Sequence, residues 1–189
     1  MSVRTTHVAN DGSIQFITFT CFQWRPLIDR VAAYDLVYKW FDYLKTKDAS
    51  VVGHVIMPNH VHVLLHFKVM FKPINIVVGN AKRFLAYGII ERLQQQGANH
   101  VLEELADAVD KQEGKKGQLH RVFEESFDCK ECFTENFLVQ KLDYMHHNPM
   151  SGKWNLVADF ALYPHSSAGY YEGTGAHAYE KILHFRDLL

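Results

Sequence analysis

Apolar and polar residues alternate from Ile14 to Phe22, and the run is rich in β-branched and aromatic side chains. That pattern predicts a strand, closed by Trp24-Arg25-Pro26. From Arg30 to Lys47 the spacing changes, and Val31, Tyr34, Val37, Tyr38, Phe41 and Leu44 fall on one helical stripe. Ser50 to Met57 and His60 to Phe67 read as strands again. Pro58-Asn59 between them is a turn signal, so the two form an antiparallel hairpin. Ile74 to Gln96 predicts a helix with Val78, Ala81, Leu85, Ile89 and Leu93 along one side, weakened at Gly88. Ala98 to Gln118 carries Glu103, Glu104, Asp107, Asp110 and Glu113, then Gly114-Lys115-Lys116-Gly117, a short acidic helix followed by a loop. Leu119 to Phe127 is the fourth strand candidate. A helix begins at Thr134 and runs to Asn148, where Pro149 stops it. The rest, through Tyr170-Tyr171 and a short final helix, reads as an aromatic tail wrapping the domain.

Strand, helix, strand, strand, helix, strand, then helix is the split βαβ order. The expected class is α+β, with a ferredoxin-like antiparallel sheet and packed helices. No internal repeat or low-complexity linker divides the chain, so residues 1–189 are expected to form a single domain. The 189 residues are 48% apolar and 22% charged, the profile of a globular chain. A net charge of −1 gives no molecule-wide basic field, so any nucleic-acid role must come from local patches. The three cysteines, Cys21, Cys129 and Cys132, form no disulfide framework, and the Cys129-Lys130-Glu131-Cys132 pair has no second half at zinc-finger spacing. With no basic-plus-apolar leader and no apolar run of about 18 residues, a cytoplasmic protein with no membrane partner is expected.

The most informative chemistry lies in Met57-Pro58-Asn59-His60-Val61-His62-Val63-Leu64-Leu65. Side chains alternate faces along a strand, so His60 and His62 point the same way. Two imidazoles side by side can grip one divalent metal. They can equally be hydrogen-bonded to backbone or lie at a wet sheet edge. Further on, Tyr144 and Asn148 are four apart and share a helix face. An asparagine carbonyl is a hard oxygen ligand, and two imidazoles with one amide oxygen make a half-filled shell suited to Mg²⁺ or Mn²⁺. The plainer alternative makes Tyr144 a core aromatic and Asn148 a helix cap.

Taken together, Val55-Ile56-Met57-Pro58-Asn59-His60-Val61-His62-Val63-Leu64 and Lys141-Leu142-Asp143-Tyr144-Met145-His146-His147-Asn148-Pro149-Met150 resemble the single-tyrosine transposases of the histidine-hydrophobic-histidine superfamily, in particular the REP-associated tyrosine transposases. Tyr163-Pro164-His165-Ser166-Ser167 is similar to that family's downstream Tyr-Pro-Trp-Ser-Ser segment. The resemblance spans most of Ile14 to Tyr171. It implies that His60, His62 and Asn148 hold a divalent metal, Mg²⁺ or Mn²⁺. It implies also that Tyr144 attacks a phosphodiester of single-stranded DNA beside a hairpin, giving a 5′-phosphotyrosine and a free 3′-hydroxyl. The relatives include monomers and dimers, so a homodimer with the tyrosine acting in trans stays open. Two departures bear on DNA specificity: Phe123 stands where the family often has tryptophan, and His165 replaces the tryptophan of the downstream segment.

The chemistry is coherent on its own terms. A phenol with an ordinary pKa of about 10 is a weak nucleophile. A metal that withdraws charge from the phosphoryl oxygens and aligns phosphorus compensates for that. His146, His147 and His66 are candidates for a general base. For holding DNA, Lys68, Lys72, Lys82, Arg83 and Arg92 oppose only Glu91 between positions 68 and 92, and Lys115, Lys116 and Arg121 form a weaker second group. A solvated helix face is the alternative for the first group, and Phe84 is either a stacking aromatic or core. Two other functions are weighed: a domesticated hairpin-binding module that no longer cleaves, and a metal-dependent hydrolase of small phosphoesters. The second lacks a third histidine, since position 64 is leucine.

Overall fold

The computed structural model describes residues 9–110, 114, 117–152 and 154–188. Four strands, β1 (Ile14–Thr20), β2 (Ala49–Met57), β3 (His60–Phe67) and β4 (Asp128–Glu131), form one sheet in the order β2-β3-β1-β4. All neighbouring pairs are antiparallel. β3 therefore lies between β1 and β2, and β1 lies between β3 and β4, which is the expected ferredoxin-like split βαβ arrangement.

Among the described residues, four helices of two turns or more pack around it: α1 (Tyr34–Lys45), α2 (Ile74–Gln95), α3 (Asn99–Asp107) and α4 (Glu135–His146). Strand parity divides their contacts. Ile17, Phe19, Val61, Val63 and Leu65 face a large core shared with α1, α2 and α3. Phe16 and Leu64, of opposite parity, face a second core with Leu138, Leu142 and Met145 of α4 and with Tyr163 and Phe185. The sheet is thus covered on both sides. α4 lies outside the βαββαβ unit, on the face to which His60 and His62 belong. None of the helices among the described residues is long and apolar enough to cross a membrane.

Two expected boundaries are displaced. The long helix expected over 30–47 is broken, because Ala32 takes a left-handed φ of 49° between a single turn at Leu27–Arg30 and α1. Arg92 of α2 compensates the break: its guanidinium donates to Val31 O (3.3 Å) and Ala32 O (2.8 Å) and to the Asp35 carboxylate (2.8 Å). The fourth strand is Asp128–Glu131 rather than Leu119–Phe127. Phe123 makes one bridge to Cys21, and the chain then leaves the ladder before rejoining β1 at Asp128, which pairs with Thr18. The acidic helix is present as α3. Thr134 caps α4, accepting a hydrogen bond from Phe137 N at 3.2 Å.

The tail binds the free edge of β2. Ile56 N donates to His165 O (2.8 Å), Tyr163 Oη donates to Ile56 O (2.9 Å), and Val55 bridges Ser166. This covers an edge that would otherwise expose unpaired backbone groups. It also explains the Tyr163–Ser167 segment physically. His165, in the place of a tryptophan, stacks on Tyr34 with ring centroids 3.6 Å apart and meets the Tyr38 hydroxyl at 2.9 Å, so it is a packing residue here.

Candidate active site

β3 carries His60 and His62 to the α4 face of the sheet, where each is 5% exposed and their ring centroids are 4.7 Å apart. Each ring is held through one nitrogen. His60 Nδ1 lies 2.6 Å from Asn59 Oδ1, which can only accept, so the proton sits on Nδ1 and the lone pair on Nε2. His62 Nδ1 is paired with Thr18 Oγ1 of β1, also at 2.6 Å. Fully buried Asn59 is fixed in turn, since its Nδ2 donates to Trp24 O at 2.9 Å. Histidines that bind metals are oriented through the nitrogen that does not ligate, and this is the pattern seen.

Burial keeps both rings neutral. Desolvation pulls His60 down to about 4, partly offset by the Asn148 amide beside it. His62 falls to about 3 through desolvation, reinforced by the charges of His60 and Lys141. A neutral imidazole is the form that binds a metal.

α4 brings the third and fourth groups. Tyr144 projects from its exposed side and is 54% accessible, with its ring centroid 5.5 Å from His62 and 6.3 Å from Phe16. It is therefore not a core aromatic. Asn148, one turn later, donates through Nδ2 to Tyr144 O at 3.1 Å, which leaves Oδ1 unclaimed by the helix end. Among the described residues no three His, Cys, Asp or Glu side chains cluster as a metal site, and the amide beside the histidine pair is that of Asn148, next to His60.

Two contributors were not singled out by the sequence reading. Lys141, one turn before Tyr144, holds its ammonium 5.1 Å from the ring centres of Phe16 and Phe137 and 5.7 Å from that of Tyr144. Its i, i+3 spacing from the tyrosine was the available signal. Gly53 of β2 lets α4 settle onto the sheet. A Cβ there would lie 2.6 Å from Leu142 Cδ2 and closer still to Met145 Cε. The ladder between β2 and β3 is irregular at this point, with a register shift between Val51 and Gly53. Gly53→Val is expected to leave a folded protein whose α4 is displaced, because the atoms it meets are flexible side-chain ends. Any activity that depends on where Tyr144 stands should then fall at least about tenfold, the scale expected when a reacting group is misplaced by about 1 Å or more. Cleavage assays alongside far-ultraviolet circular dichroism would check both halves.

The base candidates sit elsewhere. His146 is buried, with Nε2 2.8 Å from Ser167 Oγ, and its neighbours include Tyr171. His147 packs on Phe160 and contacts Asp143. His66 is half-buried near the far end of β3.

The basic residues are dispersed. α2 packs on the other face of the sheet from the histidines. Lys82 donates to Glu124 O (2.5 Å) and Glu125 O (2.8 Å), and burial pulls it down to about 8. Arg92 serves the helix break described above. Arg121 lies over Phe22 and 3.5 Å from Asp110. Lys72 and Arg83 are exposed, as is Lys68, which lies roughly 25 Å from His60 along β3. Phe84, 44% exposed, is not core. Lys115 and Lys116 lie outside the described residues.

The arrangement can be set beside known structures. A REP-associated tyrosine transposase, solved bound to a REP hairpin, superposes with a TM-score of 0.64 at 13% identity, over 93% of this chain and 88% of that one. The fold is that of a REP-associated tyrosine transposase. A candidate transposase from Deinococcus radiodurans matches more loosely, with a TM-score of 0.42 at 20% identity, over 78% of this chain and 97% of that one. No family profile and no curated protein sequence matches the chain. In this transposase fold the histidine pair, the tyrosine helix and the tail that clasps β2 belong to one continuous unit.

Proposed function

We propose that the chain is a single-domain, transposase-like enzyme that cleaves and rejoins single-stranded DNA next to a hairpin, through a covalent 5′-phosphotyrosine on Tyr144. One observation carries the reading. Two neutral imidazoles with their Nδ1 atoms engaged lie side by side, and a solvent-accessible phenol stands against one of them, although it comes from a helix outside the sheet. A structural role would explain a buried histidine pair, and it would not explain the exposed Tyr144 beside it.

In this reading His60 and His62, through their Nε2 atoms, and Asn148 Oδ1 hold a divalent ion. The donor set of two neutral nitrogens and one hard oxygen fits Mg²⁺ or Mn²⁺. Such an ion, when bound, supplies Lewis-acid withdrawal of charge from the phosphoryl oxygens. Tyr144 Oη attacks phosphorus, forming the Tyr–O–P bond while the P–O3′ bond breaks. The phenolic proton leaves to solvent, and the departing 3′-oxygen takes one up. Lys141 holds its positive charge beside the Tyr144 ring, where the anionic phosphotyrosine forms. Phe16 and His62 restrict the ring of Tyr144. Attack by a 3′-hydroxyl on the same phosphorus reverses the step and regenerates Tyr144. The ester bond is conserved throughout, so no nucleotide hydrolysis is needed. Exposed Lys72 and Arg83 remain available for backbone phosphates farther from the cleaved bond. The scheme is that of a cytoplasmic enzyme and needs no homodimer, because the Tyr144 ring already stands beside that of His62 within one chain.

The test is direct. Labelled stem–loop oligonucleotides with single-stranded flanks, incubated with Mg²⁺ or Mn²⁺, should yield a denaturation-resistant protein–DNA adduct. Chelation should remove it. His62→Ala should lower its yield at least about 100-fold, as expected when a ligand of a catalytic metal is lost. Adduct formation undiminished by chelator or by His62→Ala would reject the metal assignment. Binding without any adduct across varied hairpins would favour the non-cleaving module.

A further inference from the structure

A cleft of about 260 Å³ opens beside the histidine pair. It is lined by Thr18, Thr20 and Trp24 together with Glu124, Ser126, Phe127 and Asp128. It adjoins the site directly, because Thr18 is the partner of His62 and the Trp24 ring lies 5.8 Å from that of His60.

Trp24 is unusual in three ways. Its indole is 58% exposed, whereas Trp40 is buried in the core. Its backbone and that of Gln23 are both left-handed, with φ of 58° and 52°, a conformation that residues other than glycine seldom adopt twice in succession. It is also anchored from two sides. Asn59, which orients His60, holds the Trp24 carbonyl, and the preceding Gln23 N–H donates to Glu124 Oε1 at 2.7 Å. The segment carrying Glu124 is held by Lys82, bound to the carbonyls of Glu124 and Glu125. An exposed aromatic on strained, doubly anchored backbone is not explained by packing, and such strain collects at binding sites.

The chemistry of the walls selects the occupant. Two carboxylates line the cleft and no basic side chain does among the described residues, which disfavours a phosphate. Carboxylate and hydroxyl oxygens accept hydrogen bonds from exocyclic amines, as Glu and Asp do from cytosine N4. A broad indole face stacks on any base.

We propose that this cleft is a nucleobase subsite, in which Trp24 stacks on one unpaired, amine-bearing base adjoining the phosphodiester that Tyr144 attacks. The inference rests on the transesterase reading and adds where the single strand leaves the cleaved bond: away from the histidines, across the ends of β1 and β4. Trp24 is a positioning residue, since it registers the strand and leaves the bond chemistry to Tyr144.

The experiment uses the full chain carrying Tyr144→Phe, which binds without cleaving. The probe is a fluorescein-labelled stem–loop with eight mixed-sequence single-stranded nucleotides on each side. Trp24→Ala should weaken binding at least tenfold, and Trp24→Phe should stay within threefold. Tryptophan emission should be quenched by the probe, and most of that quenching should vanish in Trp24→Phe. Moving an abasic site along the flanks should reveal one position where the loss equals that of Trp24→Ala and does not add to it. Binding by Trp24→Ala within twofold of its parent, or quenching unchanged in Trp24→Phe, overturns the subsite. In that case adduct formation by the unmodified chain leaves the transesterase reading standing. An unmodified chain that neither binds the probe nor forms an adduct overturns both.

Discussion

Tyr144→Phe should abolish the covalent adduct and leave DNA binding within about threefold. The substitution removes one oxygen from a ring that is 54% exposed and keeps the ring's contacts with His62, Phe16 and the Lys141 ammonium, so the fold loses almost nothing. The reaction loses its nucleophile. Side chains that form the covalent intermediate are not replaceable by the groups around them, and a loss of about 10³-fold or more is the expected scale. The His146 and His147 imidazoles do not substitute, since both are committed to other contacts. Denaturing gels of labelled oligonucleotide read the adduct, and anisotropy reads the binding. Adduct persisting in Tyr144→Phe would reassign the nucleophile.

Acid should unfold this protein steeply, beginning below about pH 6.5. Among the described residues four histidines are buried and held neutral: desolvation brings His54 and His62 down to about 3, and His60 and His146 down to about 4. In the unfolded chain each regains an ordinary value of about 6.5. Between these limits the unfolded state binds protons that the folded state refuses. Stability is therefore intact above the unfolded value and is lost progressively as pH falls towards the folded ones. Each histidine adds a slope of about 1.4 kcal/mol per pH unit, so four together give on the order of 5. Against a typical domain stability of about 5–15 kcal/mol, that exhausts the fold within two to three pH units. Urea titrations at pH 7, 6 and 5 would measure it, with a proton uptake on unfolding near four at the steepest point. Uptake of one or fewer would contradict the neutral buried set. His54→Phe offers a control. The ring lies among Tyr38, Phe41 and Tyr179, and neither of its nitrogens has a partner, so the substitution should reduce the slope by one proton and stabilise the protein at pH 5.

The legible part of this protein was its short-range physics. Period-two alternation placed β3 at His60–Phe67 to the residue, and the same parity put both histidines on one face. Four-residue spacing paired Tyr144 with Asn148. The less legible part depended on distant partners. No local pattern announces that Arg92 will satisfy the carbonyls at Val31 and Ala32, so a helix stripe running through that point looked unbroken. Leu119 to Phe127 has strand-like composition, yet its backbone is drawn off the ladder where Lys82 binds Glu124 and Glu125. The positive charge along 68–92 reads in sequence as either a phosphate-tracking patch or a solvated helix face, and the environment of each cation depends on distant partners. Two of its members are occupied with protein carbonyls, and their helix covers the other side of the sheet. The physical role of the segment at 163–167, clasping β2, required the sheet edge to be seen.

Gly53 bears no functional group, and yet it sets how deep the tyrosine-bearing helix rests. A single methyl at that point would crowd the Leu142 and Met145 side chains through which the helix rests on the sheet, while every residue of both motifs stayed in place. Chains sharing the histidine and tyrosine strings of this one can therefore differ in competence for a reason those strings do not record. The residue at this strand position is the first place to look when such a chain proves silent.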